Sequence, residues 1–95
     1  TGKALPSDRS GLFLLATGAG LRAVLVQEVA PDSPAWEAGI RLGDQLTHHN
    51  GIPVRWLGLD ALNRRLRRDP GTTSRLTLRR GEERLRVRIR LRDYL

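Results

Sequence analysis

The stretch from Ser33 to Gly51, SPAWEAGIRLGDQLTHHNG, narrows the possible folds more than any other part of the chain. Single large apolar residues stand between glycines, alanines and a proline, so each structural unit here must be very short. Ser33 is placed to cap a helix with Pro34 at its first position, and Gly39 is placed to end it. That leaves one to two helical turns, Ala35 to Ala38. Gly43-Asp44 then turns the chain into Gln45–His49, and Asn50-Gly51 is a strong tight-turn signal. Gly39 and Gly43 permit backbone conformations that a Cβ penalises.

Short strands surround this segment. Gly11-Leu12-Phe13-Leu14-Leu15 is an apolar run too short to favour a helix, closed by Thr17-Gly18-Ala19-Gly20. Ala23–Val29 is rich in β-branched residues and reads as a second strand. Ile52-Pro53-Val54 follows the Asn-Gly turn. From Leu57 to Arg68, apolar residues at Leu59, Leu62 and Leu66 alternate with arginines, predicting an amphipathic helix of about three turns stopped by Pro70-Gly71. Gly58 weakens its start. Ser74–Arg79 and Glu83–Arg92 are strands joined at Arg80-Gly81-Glu82. In the second of them, arginines at 84, 86, 88, 90 and 92 alternate with Leu85, Val87, Ile89 and Leu91, so the apolar set shares one face. The expected fold is β-rich α+β. It is a small curved β-sandwich or partly open barrel of five to six strands, with one short and one longer helix plugging its open ends.

With 95 residues the chain fits one domain with one modest core. Residues 1–10, polar and broken by Pro6, read as a linker or loosely held end, and 11–95 as the domain. The start without Met suggests a piece of a longer protein. The absence of cysteine removes disulfides, thiolate chemistry and Cys-ligated zinc. No apolar run reaches the length needed to span a bilayer. The net charge of +7 raises the question of nucleic acid, but 16 of the 17 basic residues are arginine, which fits a GC-rich genome with solvated basic faces.

The spacing Ser33-Pro34-Ala35, Ala38-Gly39-Ile40, Gly43-Asp44, Leu46 and Asn50-Gly51 resembles that of bacterial PDZ domains. The resemblance continues through the Leu57–Arg68 helix, Pro70-Gly71 and Leu76-Thr77-Leu78-Arg79-Arg80-Gly81. It covers roughly residues 11 to 92. The element order looks like the permuted form of bacterial envelope proteases, in which the peptide-binding strand opens the domain. The resemblance implies that Gly11, Leu12, Phe13 and Leu14 form a loop whose N–H groups hold a peptide's terminal carboxylate. The peptide would then add as a strand beside Leu14 to Ala16, which includes Leu15. Phe13 departs from the family pattern, where many members have glycine, and reads either as a groove residue or as core. Leu62 and Leu66 share a helix face and either line the pocket for the last peptide side chain or belong to the core. Arg9 is placed to favour a carboxylate.

The implied function is a non-catalytic peptide-recognition or regulatory module of a larger bacterial peptidase. Its partner is a peptide or protein C-terminus, or the catalytic domain of its own chain. The ending Leu91-Arg92-Asp93-Tyr94-Leu95 looks like that of domains following a retropepsin-like aspartic protease. Glycyl aminopeptidases and HtrA-type serine proteases are the other hosts, and the family implies a periplasmic or cell-envelope location. Two further readings stay open: nucleic-acid binding through the arginine faces, and a structural docking or oligomerisation role. Asp44 is placed to hold its turn by accepting backbone N–H bonds. His48 and His49 are adjacent on a strand and point to opposite faces, so no metal site is expected. No serine has a recognisable His and carboxylate partner, so no catalytic residue and no cofactor are expected. Trp36 and Trp56 are expected to be buried.

Overall fold

The computed structural model describes residues 10–18, 20, 23–67 and 71–92. Arg9 and most of the expected N-terminal linker lie outside these residues, as do Arg68, Pro70 and residues 93–95. Among the described residues nine elements follow one another: β1 (Leu12–Thr17), β2 (Ala23–Val29), α1 (Pro34–Glu37), β3 (Gln45–His49), β4 (Ile52–Pro53), α2 (Val54–Leu57), α3 (Leu59–Arg65), β5 (Thr73–Arg80) and β6 (Glu83–Arg90). The strands form one six-stranded sheet in the order β1-β2-β3-β5-β6, with β4 attached to β3. Every pairing is antiparallel. The sheet is curved and not closed, so β1 and β6 remain its two edges.

Alternation sets the inner face. Leu76 and Leu78 of β5, Ile89 of β6 and Leu91 just beyond it are buried, while Arg84, Arg86, Arg88 and Arg90 are exposed. β5 and β6 pair without interruption from Thr73↔Arg90 to Arg80↔Glu83, so one register carries both apolar rows into the core. Val24, Val26 and Leu46 extend that core across the central strands, and Ala35, Ile40, Leu62 and Leu66 close it from outside the sheet.

The short helix forms as its sequence requires. Ser33 is extended, its Oγ accepts from the Trp36 N–H at 3.2 Å, and Pro34 occupies the first turn. Ala35 is fully buried, which allows the helix to lie close to the strands.

The longer helix differs from expectation. The Leu57–Arg68 region is not one helix: α2 is a single turn ending at Leu57, and α3 begins at Leu59. Gly58 stands between them at φ 80 and ψ 159. That region of backbone space belongs essentially to glycine and breaks the i→i−4 ladder. The apolar periodicity still holds within α3, where Leu62 is buried; Leu66 caps its end and is buried too.

Both tryptophans are also exposed rather than buried, Trp36 at 53% and Trp56 at 73%. Each sits on a helix of one turn, which turns only part of its circumference inward. In α1 those inward places go to Pro34 and Ala35, and in α2 to Val54. The Arg55 guanidinium lies 5.8 Å from the centre of the Trp56 ring, at cation–π distance.

Candidate functional site

The site grows from the way β1 is fastened at its first residues. The Ser10 carbonyl accepts from the Ala35 N–H at 2.9 Å, and the Gly11 carbonyl accepts from the Ala30 N–H at 2.8 Å. These bonds tie the residues just before β1 to the start of α1 and to the end of β2. Gly11 lies so close to Ser33 that a Cβ built on it would stand 2.0 Å from Ser33 Oγ, and its φ is +85. Only glycine fits there. The Leu12 N–H then donates to Ser10 Oγ at 3.1 Å. Ser10 is a site residue that the sequence reading leaves out. A serine two residues before an amide is a recognised side-chain-to-backbone turn signal, and that was the available clue.

Beyond this loop, β1 pairs only with β2, and among the described residues no strand lies on its other side. The ladder between them is irregular between Phe13 and Leu14, where the register shifts by one residue. Such a bulge sharpens local twist and re-aims side chains. Leu12 is buried and Leu14 packs partly against the core, whereas Phe13 and Leu15 are 45% and 46% exposed. Phe13 is therefore a surface residue on the edge strand, not a core residue.

α3 packs near β1. Leu62 and Leu66 are both buried in the same apolar cluster as Leu12. Gly11, Leu12, Phe13, Leu14 and Leu15 are thus one continuous edge, with Leu62 and Leu66 beneath it in the core. An apolar side chain entering between β1 and α3 would meet Leu12, Leu14, Leu62 and Leu66, and would have to part their packing.

A second buried polar group supports the connection behind α1. Asp44 accepts from the Arg41 N–H at 2.9 Å, and its two oxygens accept from Arg80 Nε and Nη2, each at 2.8 Å. Arg80 Nη2 also donates to the Gly39 carbonyl at 2.9 Å. Burial alone would raise the Asp44 carboxyl, but the bonds from Arg80 and the Arg41 amide outweigh it and hold it below its usual value. The turn role expected of Asp44 is present; its partner Arg80 lies 36 residues away, beyond the reach of any local spacing.

Among the described residues no group of three or more His, Asp or Glu side chains could hold a metal ion. His49 is buried with its Nε2 3.2 Å from Ser74 Oγ, and His48 Nδ1 lies 2.9 Å from Thr47 Oγ1. The two rings serve different surroundings, as their adjacent places on a strand require.

An edge strand beside a helix, opened by a tight glycine loop and backed by a Ser-Pro-Ala cap, is an arrangement that protein comparisons test directly. A family model described as PDZ domain matches residues 25–80. The chain belongs to the PDZ domain family. The HtrA3 PDZ domain, solved with the phage-derived ligand FGRWV, is 28% identical with a TM-score of 0.72, over 87% of this chain and 83% of that one. A serine endoprotease from Yersinia pestis is 25% identical with a TM-score of 0.73, over 92% of this chain and 29% of that one. A photosystem II D1 C-terminal processing protease shares the PDZ fold at a TM-score of 0.81 and 22% identity, over 92% of this chain and 23% of that one. This PDZ domain therefore spans less than a third of either protease. A search of curated proteins found no match. The retropepsin-like host expected from residues 91–95 finds no support in these comparisons, whose proteases include that serine endoprotease and an HtrA-type protease.

Proposed function

We propose that this PDZ domain is a non-catalytic module that binds the free C-terminus of an extended peptide by strand addition along β1, within a larger bacterial peptidase. The observation that carries the reading is the outer edge of β1, which has no strand partner among the described residues and leads out of the Ser10–Gly11 turn. A peptide lying along it would satisfy edge N–H and C=O groups that otherwise face solvent. In the loop, the Leu12 N–H is already engaged by Ser10 Oγ, so a carboxylate arriving there exchanges one acceptor for another. A carboxylate is the stronger acceptor.

Phe13 and Leu15 face outward and would flank alternate ligand side chains. Leu12, Leu14, Leu62 and Leu66 would receive the terminal one, favouring an apolar residue. The ligand FGRWV of the HtrA3 PDZ domain ends in such a residue. Affinity of micromolar order or weaker follows from the few side chains engaged and the cost of ordering the peptide.

The module's place in a protease rests on the two protease structures it resembles, and an envelope location on the family resemblance. Between hosts, a serine peptidase of HtrA type has more support than an aspartic one. The direct test is a competition experiment with a fluorescent pentapeptide ending in free-acid valine. The unlabelled free acid should displace it, and the C-terminal amide should not. Equal displacement by both would remove carboxylate recognition from the account.

A further inference from the structure

At the opposite edge of the sheet, the outer face of the β5–β6 hairpin carries charge of one sign only. Its residues are Thr73, Arg75, Thr77 and Arg79 on β5 and Arg84, Arg86, Arg88 and Arg90 on β6. The register sets Arg75 directly opposite Arg88 and Arg79 directly opposite Arg84. Like charges directly opposed across a ladder destabilise it. Among the residues of the hairpin, none that shares this face is acidic. Arg75, Arg84, Arg86 and Arg88 also line an open hollow of about 550 Å³ with His48 and Asn50. None of these four guanidiniums is in an ion pair among the described residues. The hairpin thus keeps a repulsive arrangement that a bound anion would relieve.

The spacing identifies the anion's form. Arginines at every second residue of a strand repeat at about 6.8 Å, which is also the repeat of alternate side chains on any extended peptide. β6 is an edge strand, and among the described residues no strand pairs with its outer side. The His48 imidazole is the one ring that lines the hollow among the described residues, and no Phe, Tyr or Trp joins it, so there is no row of aromatic platforms for successive bases.

We infer that β6 is a second docking edge, which takes an extended acidic protein segment with carboxylates at alternate positions, aligned strand-to-strand so that each carboxylate faces one of Arg84, Arg86, Arg88 and Arg90. Guanidinium–carboxylate pairs supply geometric matching, because both groups are planar and pair two bonds at a time. The site is separate from β1, and a ligand there needs no free C-terminus.

The test uses the 95-residue chain and a synthetic peptide acetylated at one end and amidated at the other, in which glutamate and threonine alternate through four repeats. Its binding is followed by backbone amide shifts. Shifts should concentrate on residues 84–90 and leave 11–15 unmoved. A blocked peptide of the same composition, with all its glutamates contiguous and its threonines after them, should bind at least about fivefold more weakly. Single-stranded oligothymidylate of eight nucleotides should bind no more tightly than the alternating peptide. Arg88→Glu should cut affinity for the alternating peptide by at least about tenfold. Because it sets an acid opposite Arg75, its thermal midpoint should equal or exceed that of the wild type, which separates lost binding from lost folding. Equal binding of the two peptides, tighter binding of the oligonucleotide, shifts centred on β1, or no binding at low millimolar peptide would each overturn the inference.

Discussion

Arg80, the last residue of β5, grips both carboxylate oxygens of Asp44, Nε to Oδ1 and Nη2 to Oδ2, each at 2.8 Å. Asp44 is 2% exposed and Arg80 31%, so the pair joins a buried turn to a strand end that reaches water. Arg80 also holds the Gly39 carbonyl, and one side chain thereby fixes both ends of the Gly39–Asp44 connection.

The pair makes stability depend on acid. The Asp44 carboxyl is held below its ordinary value of 3.8 in the folded chain. Its contribution is then fully present above the unfolded value, and it is lost as pH falls through the lower folded value. Urea midpoints measured from about pH 6 down to about pH 2 should show this loss below about pH 4. Asp44→Asn should lower the midpoint at neutral pH and flatten that acid limb. An unchanged limb would show that other carboxylates set the acid response.

Gly11 and Gly39 should separate two kinds of glycine requirement. Both have positive φ, but a Cβ at Gly11 overlaps Ser33, whereas one at Gly39 meets nothing within 4 Å. Gly39→Ala and Gly43→Ala should therefore cost only backbone strain, on the order of 1–3 kcal/mol. Gly11→Ala should cost more than either, because the β1 start and the Ser33 cap must move apart. Denaturant midpoints of the three variants give the ranking directly.

Leu62 and Phe13 should part stability from binding. Leu62 is fully buried, so Leu62→Ala should cost about 2–5 kcal/mol. Phe13 is a half-exposed edge residue, so Phe13→Ala should change stability by less than about 1 kcal/mol while weakening peptide binding severalfold. A large stability loss in Phe13→Ala would place its ring in the core after all.

These residues also show how far the sequence could be read. The Ser33–Gly51 segment was legible because its constraints are local: a cap, a proline at the helix start, glycines at positive φ and an Asn-Gly turn all act within a few residues. The β6 alternation was equally legible, since period two leaves no choice of face. The candidate groove was legible only through family resemblance. Nothing local in Gly11–Leu15 says that its outer edge stays unpaired, because that depends on where every other strand goes. The break at Gly58 was visible only as a weak helix start, since a glycine permits such a break without requiring it. The Arg80–Asp44 pair and the exposure of both tryptophans are long-range outcomes, and no spacing rule reaches them.

Recognition of a free C-terminus along β1 is the central claim, and backbone amide shifts on the labelled chain test it most directly. A short peptide with an apolar last residue should move the amides of Gly11 to Leu15 and those of α3. The same peptide amidated at its C-terminus should move neither. Equal shifts from both forms, or shifts that appear only on β6, would contradict the account.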